Sequence, residues 1–195
     1  METQCHAQSG LALSLYAADG QRKYLNATER RSFLAAAQLA APEVRTFCLA
    51  MAYLGCRISE ALELRGGDVQ VAENLVSIRC LKKRGKLVVR EVPAPPSLMA
   101  ELALVHRLDH RDARLWPWGR TTAWRFVKGM MRNAGIESLP ATPKGLRHGF
   151  GVHAVMSGIP LNLIQKWLGH ADIATTAIYT NVLGPEEREI AARMW

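Results

Sequence analysis

The chain has 195 residues, of which 49% are hydrophobic and 22% are charged. This length suits one domain with a small appendage, and the composition argues against wholesale disorder. The 25 Lys and Arg residues outnumber the 17 Asp and Glu residues, and the net charge of +8 favours a polyanionic partner such as nucleic acid. The apolar stretch at 11–18 is too short to span a bilayer, so we expect a cytoplasmic protein without a membrane partner.

The cysteines and the start of the chain carry few patterns. Cys5, Cys48, Cys56 and Cys80 form no Cys-x-x-Cys pair and have no histidine at metal-ligand spacing, so we expect reduced thiols and no metal site. Residues 1–20 end in an Asp-Gly turn, which predicts an N-terminal arm, with a single domain at 21–195. Alternating leucines at 11, 13 and 15 predict a short strand in that arm.

Helical spacing dominates the rest of the chain. The first helix is predicted from an N-cap at Asn26 or Thr28 to Ala40, and the second from Pro42 to about Gly55. The pattern then alternates, which predicts strands at 69–71, 75–81 and 87–92. Further helices are predicted at 97–108, 121–134, 143–156, 160–168, 173–180 and 185–194. The expected fold is mainly α with a small antiparallel three-stranded β-sheet, an α+β arrangement.

Two segments are strongly basic. Residues 79–90 contain six basic side chains and no acidic one, namely Arg79, Lys82, Lys83, Arg84, Lys86 and Arg90. Such a hairpin is typical of phosphate binding, although lysine also protects exposed sheet edges. Residues 107–132 interleave arginines with Trp116, Trp118 and Trp124, which suits either a nucleic-acid backbone contact or a loop anchored by tryptophan.

Four short motifs contain side chains suited to phosphate chemistry. Residues 55–60 place Arg57 just beyond a helix end, with Ser59 able to cap the next helix. Residues 142–148 open a helix with a capping Thr and a first-position Pro, and set Lys144, Arg147 and His148 on one face. Residues 167–170 end a helix at Gly169, and Tyr179 follows nine residues after His170, so that the two side chains can converge.

In this order, the motifs resemble those of the tyrosine recombinase and phage integrase family over residues 25–195, and their joint occurrence is more specific than any one of them. The resemblance implies a tyrosine recombinase catalytic-domain fold. It also implies an active site made of Arg57, a hairpin lysine, Lys144, Arg147, His170 and Tyr179, with Glu60 in a supporting position. Lys144 stands where the family usually has histidine.

Some assignments stay open at this point. Strand alternation through Ile78 and Cys80 favours Lys83 as the hairpin lysine, whereas a slip of one residue in register would favour Lys82. His148 is interpreted as a residue that hydrogen-bonds within the fold, and the tyrosines outside the motif as structural. The residues expected to bind DNA are Lys82, Arg84, Lys86 and Arg125.

The resemblance implies a site-specific recombinase of integrase or invertase type, carried by a mobile genetic element and acting at the nucleoid. Tyr179 would attack a DNA phosphate and form a 3′-phosphotyrosyl link, without metal, ATP or another cofactor. The expected partners are double-stranded DNA and further copies of the chain, up to a tetramer, joined through the C-terminal helix; packing of that helix within its own subunit is the alternative. Family members usually carry a separate N-terminal core-binding domain, for which 195 residues leave no room, so an accessory DNA-binding protein is another candidate partner.

Two other functions fit the same residues. One is a non-catalytic DNA-binding or regulatory protein on this fold, for which Lys144 is the main argument. The other is DNA relaxation of the type IB topoisomerase kind, which uses the same chemistry without exchanging partners.

Overall fold

The computed structural model describes residues 14–81 and 87–194. It confirms the predicted mainly α fold with a small three-stranded antiparallel sheet. The α-helices of the described residues are α1 Ala27–Gln38, α2 Pro42–Leu54, α3 Ile58–Leu62, α4 Pro96–Val105, α5 Arg120–Asn133, α6 Pro143–Met156, α7 Leu161–Leu168, α8 Ala174–Ala177 and α9 Pro185–Ala191. The strands are β1 Val69–Gln70, β2 Leu75–Leu81 and β3 Leu87–Pro93, and 3₁₀ turns occupy Gly66–Asp68 and Ile178–Thr180.

Local capping explains where the first helices begin and end. The Asn26 side chain accepts the Glu29 N–H, and the Glu29 carboxylate accepts the Asn26 N–H, so this reciprocal box starts α1 at Ala27. Pro42 occupies the first position of α2, where its missing N–H costs nothing. Gly55 ends that helix in the left-handed region with a φ of 57°.

The sheet runs in the order β1-β2-β3 with antiparallel pairs throughout. On β2, Val76 and Ile78 are fully buried, as the predicted alternation requires. Val76 faces Val92 and Ile78 faces Arg90 on β3. The tip of the β2–β3 hairpin lies outside the described residues, and with it lie Lys82, Lys83, Arg84, Lys86 and the predicted turn at 84–85.

The later helices differ from the prediction mainly at their ends. The predicted helix at 173–180 is the single α-helical turn α8 followed by a 3₁₀ turn, so the chain tightens just as it reaches Tyr179. The helix predicted at 97–108 ends at Val105, and the one predicted at 185–194 ends at Ala191. Within residues 14–81 and 87–194, no helix combines the length and the apolar character needed to cross a membrane.

Two hydrophobic clusters form the core. The larger joins α1, α2, α4 and α5 with the sheet, and Trp116 packs edge-on against Phe47 at its centre. The smaller contains Leu15, Tyr24 and Tyr179, together with apolar side chains of α6 and α7. Leu15, which belongs to the predicted arm, is therefore part of the same hydrophobic cluster as Tyr179.

The cysteines of the described residues are free thiols, and Cys5 lies outside that part of the chain. Burial raises the pKa of Cys48 and of Cys56 to about 12, so both thiols stay protonated at neutral pH. Within residues 14–81 and 87–194, no three His, Cys, Asp or Glu side chains gather closely enough to hold a metal ion.

Candidate active site

A cavity of about 610 Å³ opens between α3, α5, α6 and the segment after α7. Five residues predicted for the active site line it, namely Arg57, Lys144, Arg147, His170 and Tyr179. A second cavity of about 820 Å³ adjoins the first and shares Arg57 and His170 with it. The structure thus brings together side chains from segments far apart in the sequence.

Arg57 is the N-cap residue of α3. Its backbone N–H donates to Glu60 Oε2 at 2.8 Å, and its Nη1 donates to Glu60 Oε1 at 2.8 Å. The predicted cap at Ser59 is wrong, because the N-cap lies two residues earlier at Arg57, whose N–H donates to the Glu60 carboxylate. The Arg57 side chain remains 46% exposed at the cavity, where a ligand can reach it.

Glu60 is the buried carboxylate that orders this corner of the site. Arg90 on β3 binds it with both terminal nitrogens, at 2.7 Å and 3.3 Å, and donates through Nε to the carbonyl oxygen of Trp167. Burial alone would raise the pKa of Glu60, but the hydrogen bonds and charge of Arg90 outweigh it and lower that pKa to about 2. Arg90 is therefore a buried structural cation, although the sequence counts it among the six basic side chains at 79–90.

Arg147 is held by the carboxyl ends of two helices. Its Nη1 donates to the Gly55 carbonyl oxygen and its Nη2 to that of Leu168, both at 2.7 Å. Helix carboxyl ends carry partial negative charge, which suits a guanidinium. Burial, together with the charge of Arg57, lowers the pKa of Arg147 to about 10, so it stays charged at neutral pH.

The first turn of α6 sets the side chains around Arg147. The Thr142 hydroxyl accepts the Gly145 N–H at 3.0 Å, as the predicted cap requires. A Cβ at Gly145 would lie 1.9 Å from the Pro140 carbonyl oxygen, so only glycine fits this close approach. Lys144 is exposed at the rim of the cavity.

Tyr179 is only 1% exposed, on the 3₁₀ turn Ile178–Thr180. Its hydroxyl lies 3.2 Å from Nδ1 of His148, which is half-buried on α6. Burial raises the pKa of Tyr179 to about 12, although the charges of Arg147 and Arg57 oppose the shift. The phenol is therefore protonated at neutral pH when the protein is not bound to DNA.

His170 lies next to Tyr179, directly after Gly169. The two rings are nearly parallel, with centroids 6.2 Å apart. His170 Nδ1 is hydrogen-bonded to the Thr176 hydroxyl at 2.8 Å, which fixes the ring. Burial, followed by the charges of Arg147 and Arg57, lowers the pKa of His170 to about 4, so the imidazole is neutral at neutral pH.

Sequence reasoning missed the roles of Arg90 and Thr176 and did not identify the partner of His148. Arg90 and Thr176 fix Glu60 and His170 from distant or buried positions that no motif marks. His148 was expected to bond within the fold, and the structure gives its partner as the Tyr179 hydroxyl. Its position directly after Arg147 was the available clue.

The expected DNA contacts are only partly described. Arg125 is exposed on α5. Arg120 and Trp124 of the same helix, which belong to the basic, tryptophan-rich stretch at 107–132, line the cavity. The hairpin residues Lys82, Lys83, Arg84 and Lys86 lie outside the described part of the chain.

The chain is similar in sequence to two tyrosine recombinases. Tyrosine recombinase XerA of Pyrococcus furiosus is 32% identical over 149 residues, which cover 71% of this chain and 50% of XerA. Tyrosine recombinase XerC of Herpetosiphon aurantiacus is 37% identical over 146 residues, which cover 66% of this chain and 44% of XerC. The chain spans about half the length of the relatives it matches.

Solved structures show the same architecture. The crystal structure of XerA recombinase matches with a TM-score of 0.76 at 27% identity, over 88% of this chain and 64% of that chain. XerH recombinase, bound to its difH substrate before cleavage, matches in fold with a TM-score of 0.64 at 20% identity, over 92% of this chain and 59% of that chain. The model of the phage integrase family matches residues 23–184, a segment that includes Arg57, Arg147, His170 and Tyr179. The chain belongs to the phage integrase family.

Proposed function

We propose that the protein is a site-specific DNA recombinase that cleaves and rejoins DNA through a covalent link to Tyr179. The observation that carries this proposal is the convergence of Tyr179, His170, Arg57 and Arg147 on one cavity. The relatives support it, since they are tyrosine recombinases and XerH is solved with a DNA substrate before and after cleavage. Because the chain spans about half of those relatives, the activity is inferred from the site itself.

The two arginines would stabilise the charge of the reacting phosphate. A phosphodiester repels nucleophiles, and its transition state places more charge on the non-bridging oxygens. Guanidinium groups match those oxygens in shape and keep their charge. Arg147 is already fixed by two carbonyl oxygens and Arg57 by Glu60, so both cations are in place before the phosphate arrives.

Tyr179 would attack the phosphorus atom and form a 3′-phosphotyrosyl link. The bond between phosphorus and the 5′ oxygen breaks, and that oxygen needs a proton to leave as a hydroxyl. Lys83, or Lys82 in the alternative register, is the proposed donor on the hairpin. Lys144 is proposed to add a positive charge at the rim of the cavity.

His170 is proposed to hydrogen-bond a non-bridging oxygen of the same phosphate. Thr176 holds its Nδ1, which leaves the opposite edge of the ring as the edge for substrate. A neutral imidazole with its proton on Nε2 would donate to the phosphate without needing a change of protonation state.

Rejoining is the same reaction in reverse. The phosphotyrosyl link preserves the energy of the broken phosphodiester, so a second 5′-hydroxyl can attack it and displace the tyrosine. In this proposal neither ATP, metal nor another cofactor takes part. If the attacking 5′-hydroxyl comes from a second DNA site, the reaction joins strands of the two sites and so exchanges them.

DNA is proposed to lie across the basic mouth of the cavity. Arg120 and Trp124 line that mouth, and Arg125 is exposed on the same helix. The hairpin residues Lys82, Arg84 and Lys86 are proposed to bind the phosphate backbone beside it.

The proposed assembly is a homo-oligomer, up to a tetramer, joined on DNA through the C-terminal helix α9. Within one chain, α9 contacts α6. If α9 were exchanged between subunits, the same contact would form between α9 of one subunit and α6 of its neighbour. We also propose that an accessory DNA-binding protein assists the recombinase. The protein is proposed to originate in a mobile genetic element and to act at the nucleoid in the cytoplasm.

The proposal can be tested by covalent capture. The probe is a pool of DNA duplexes, randomised around one phosphodiester whose bridging 5′ oxygen is replaced by sulfur, because the sulfur leaves easily and rejoins poorly. We expect the wild-type protein to trap a subset of sequences in a denaturation-resistant adduct, and Tyr179→Phe to trap none while still binding DNA. Tyr53→Phe, at a tyrosine outside the motifs, is the matched control.

Different results separate the rival functions. An adduct with Tyr179→Phe would contradict the assignment of the nucleophile. Binding without any wild-type adduct would favour the non-catalytic alternative. Relaxation of supercoiled DNA without strand exchange between two captured sites would favour the type IB topoisomerase alternative.

A further inference from the structure

His148 is the side chain that touches the proposed attacking atom. Its Nδ1 lies 3.2 Å from the Tyr179 hydroxyl, and the two ring centroids are 5.8 Å apart. One turn further along α6, Gly151 lies beneath the Tyr179 ring, so the same helix face supports the ring and contacts its hydroxyl. His148 and Gly151 thus fix the position of the Tyr179 side chain, one at its hydroxyl and the other at its ring.

Lys144 is poorly suited to take a proton from that hydroxyl. A lysine in its ammonium form has three hydrogen-bond donors and no acceptor. Lys144 is also exposed at the rim of the cavity, whereas the Tyr179 hydroxyl lies inside, against His148. A proton acceptor for Tyr179 must therefore come from another residue.

We propose that His148 accepts the proton of Tyr179 during cleavage and returns it during rejoining. This inference rests on the proposed function. In the forward step the bond from the Tyr179 oxygen to phosphorus forms, the bond from phosphorus to the 5′ oxygen breaks, and the tyrosine proton moves to His148 Nδ1. The hairpin lysine gives a proton to the 5′ oxygen, and the reverse step returns both protons.

The surroundings of His148 keep its lone pair available. Burial, followed by the charges of Lys144, Arg147 and Lys23, lowers the pKa of His148 to about 4, so the ring is neutral at neutral pH. A bound phosphate would offset those positive charges and make protonation easier. The phenol also becomes more acidic as its oxygen bonds to phosphorus, so the proton moves as the attack proceeds.

The test compares variants that separate proton acceptance from positioning. His148→Asn keeps a hydrogen-bond acceptor near the place of Nδ1 but cannot take the proton. Lys144→Met removes the charge at nearly constant length. His153→Asn changes an exposed histidine of the same helix and serves as the control.

The measurement is the single-turnover rate of adduct formation on a sulfur-containing duplex captured from the randomised pool, between pH 5.5 and 9. We expect His148→Asn to be slower by about 100-fold at pH 7. Its rate should rise about tenfold per pH unit, because hydroxide must then remove the proton, while the wild-type rate stays nearly flat. Lys144→Met should keep a flat profile, and added imidazole should restore part of the rate of His148→Ala.

The outcomes are distinct. A His148→Asn protein with the wild-type rate and pH profile would overturn the role of His148 and leave the recombinase function intact. A steep pH dependence in Lys144→Met would transfer the role to Lys144 and also overturn the proposal. If the wild type forms no adduct with any duplex, the proposed function fails and this inference fails with it. If His148→Asn does not fold, imidazole rescue of His148→Ala decides.

Discussion

Gly151 and Tyr179 are in direct contact, and the contact leaves no room for a side chain at 151. A Cβ built on Gly151 would lie 2.6 Å from the Tyr179 ring, well inside van der Waals distance. The ring of the proposed nucleophile therefore rests on the backbone of α6. Any group added at 151 must displace Tyr179 or the helix.

We expect Gly151→Ala to reduce DNA cleavage strongly while the protein remains folded. The added methyl group pushes the Tyr179 hydroxyl away from His148 and the phosphate site, and a displacement of about 1 Å is enough to cost on the order of 100-fold in rate. Covalent adduct formation and circular dichroism measure the two effects. Gly129→Ala is the control, because a Cβ there meets nothing within 4 Å. It should stabilise α5 by about 0.5–1 kcal/mol, and equal activity of both variants would contradict the packing argument.

Thr176→Val should weaken cleavage by loosening His170. Valine keeps the shape of threonine but removes the hydroxyl that binds His170 Nδ1, so the ring loses its fixed orientation. We expect about a tenfold lower rate of adduct formation, a typical effect of losing an orienting partner. Thr176→Ser keeps the hydroxyl and should retain most of the rate. Equal loss in both variants would show that the methyl group matters instead.

Glu60 should contribute an acid-sensitive part of the stability. Its pKa is lowered from 4.5 to about 2 in the folded protein, so its contribution is complete above about pH 4.5 and is lost as the pH falls towards 2. The shift corresponds to about 3 kcal/mol of unfolding free energy. Urea unfolding at a series of pH values measures it.

Glu60→Gln should flatten this part of the pH profile and destabilise the protein at pH 7, because Arg90 is left buried without its carboxylate. Glu63→Gln is the control, since its ion pair with Arg114 is exposed on both sides and contributes under about 1 kcal/mol. Parallel pH profiles for wild type and Glu60→Gln would contradict the assignment.

Arg147→Lys should abolish most of the cleavage although it preserves the charge. A lysine ammonium cannot bind the Gly55 and Leu168 carbonyl oxygens and a phosphate with the geometry of a guanidinium fork. We expect a rate loss of roughly 100- to 1,000-fold, as for removal of one fixed donor from a transition-state site. Arg132→Lys, exposed on α5, is the control. A near wild-type rate for Arg147→Lys would show that charge alone suffices.

The sequence predicts most helix ends and the motif residues because both depend on local chemistry. Asn26 with Glu29, Pro42 with Gly55, and Thr142 with Pro143 fix helix ends within a few residues. Arg57, Arg147, His170 and Tyr179 were assigned through the resemblance to the tyrosine recombinase and phage integrase family, and the structure brings them to one cavity. The helix ends need only neighbouring residues, whereas the site residues come from the family resemblance.

The missed features depend on contacts between distant segments. Arg90 looks like a phosphate-binding residue in a basic hairpin, and only the packing of β3 against Glu60 makes it a buried structural cation. The contact between His148 and Tyr179 spans 31 residues, and no periodicity reports it. Ser59 was a sound choice of cap by residue type, but the longer reach of the Glu60 carboxylate decided where α3 begins.

The hydrogen bond from Arg147 to the Gly55 carbonyl oxygen joins segments that are 92 residues apart in sequence. It places one proposed phosphate-binding arginine beside the turn that presents the other, so the cation pair forms only when these two segments pack together. In the proposed recombinase, cleavage would therefore depend on the packing of these two distant segments against each other.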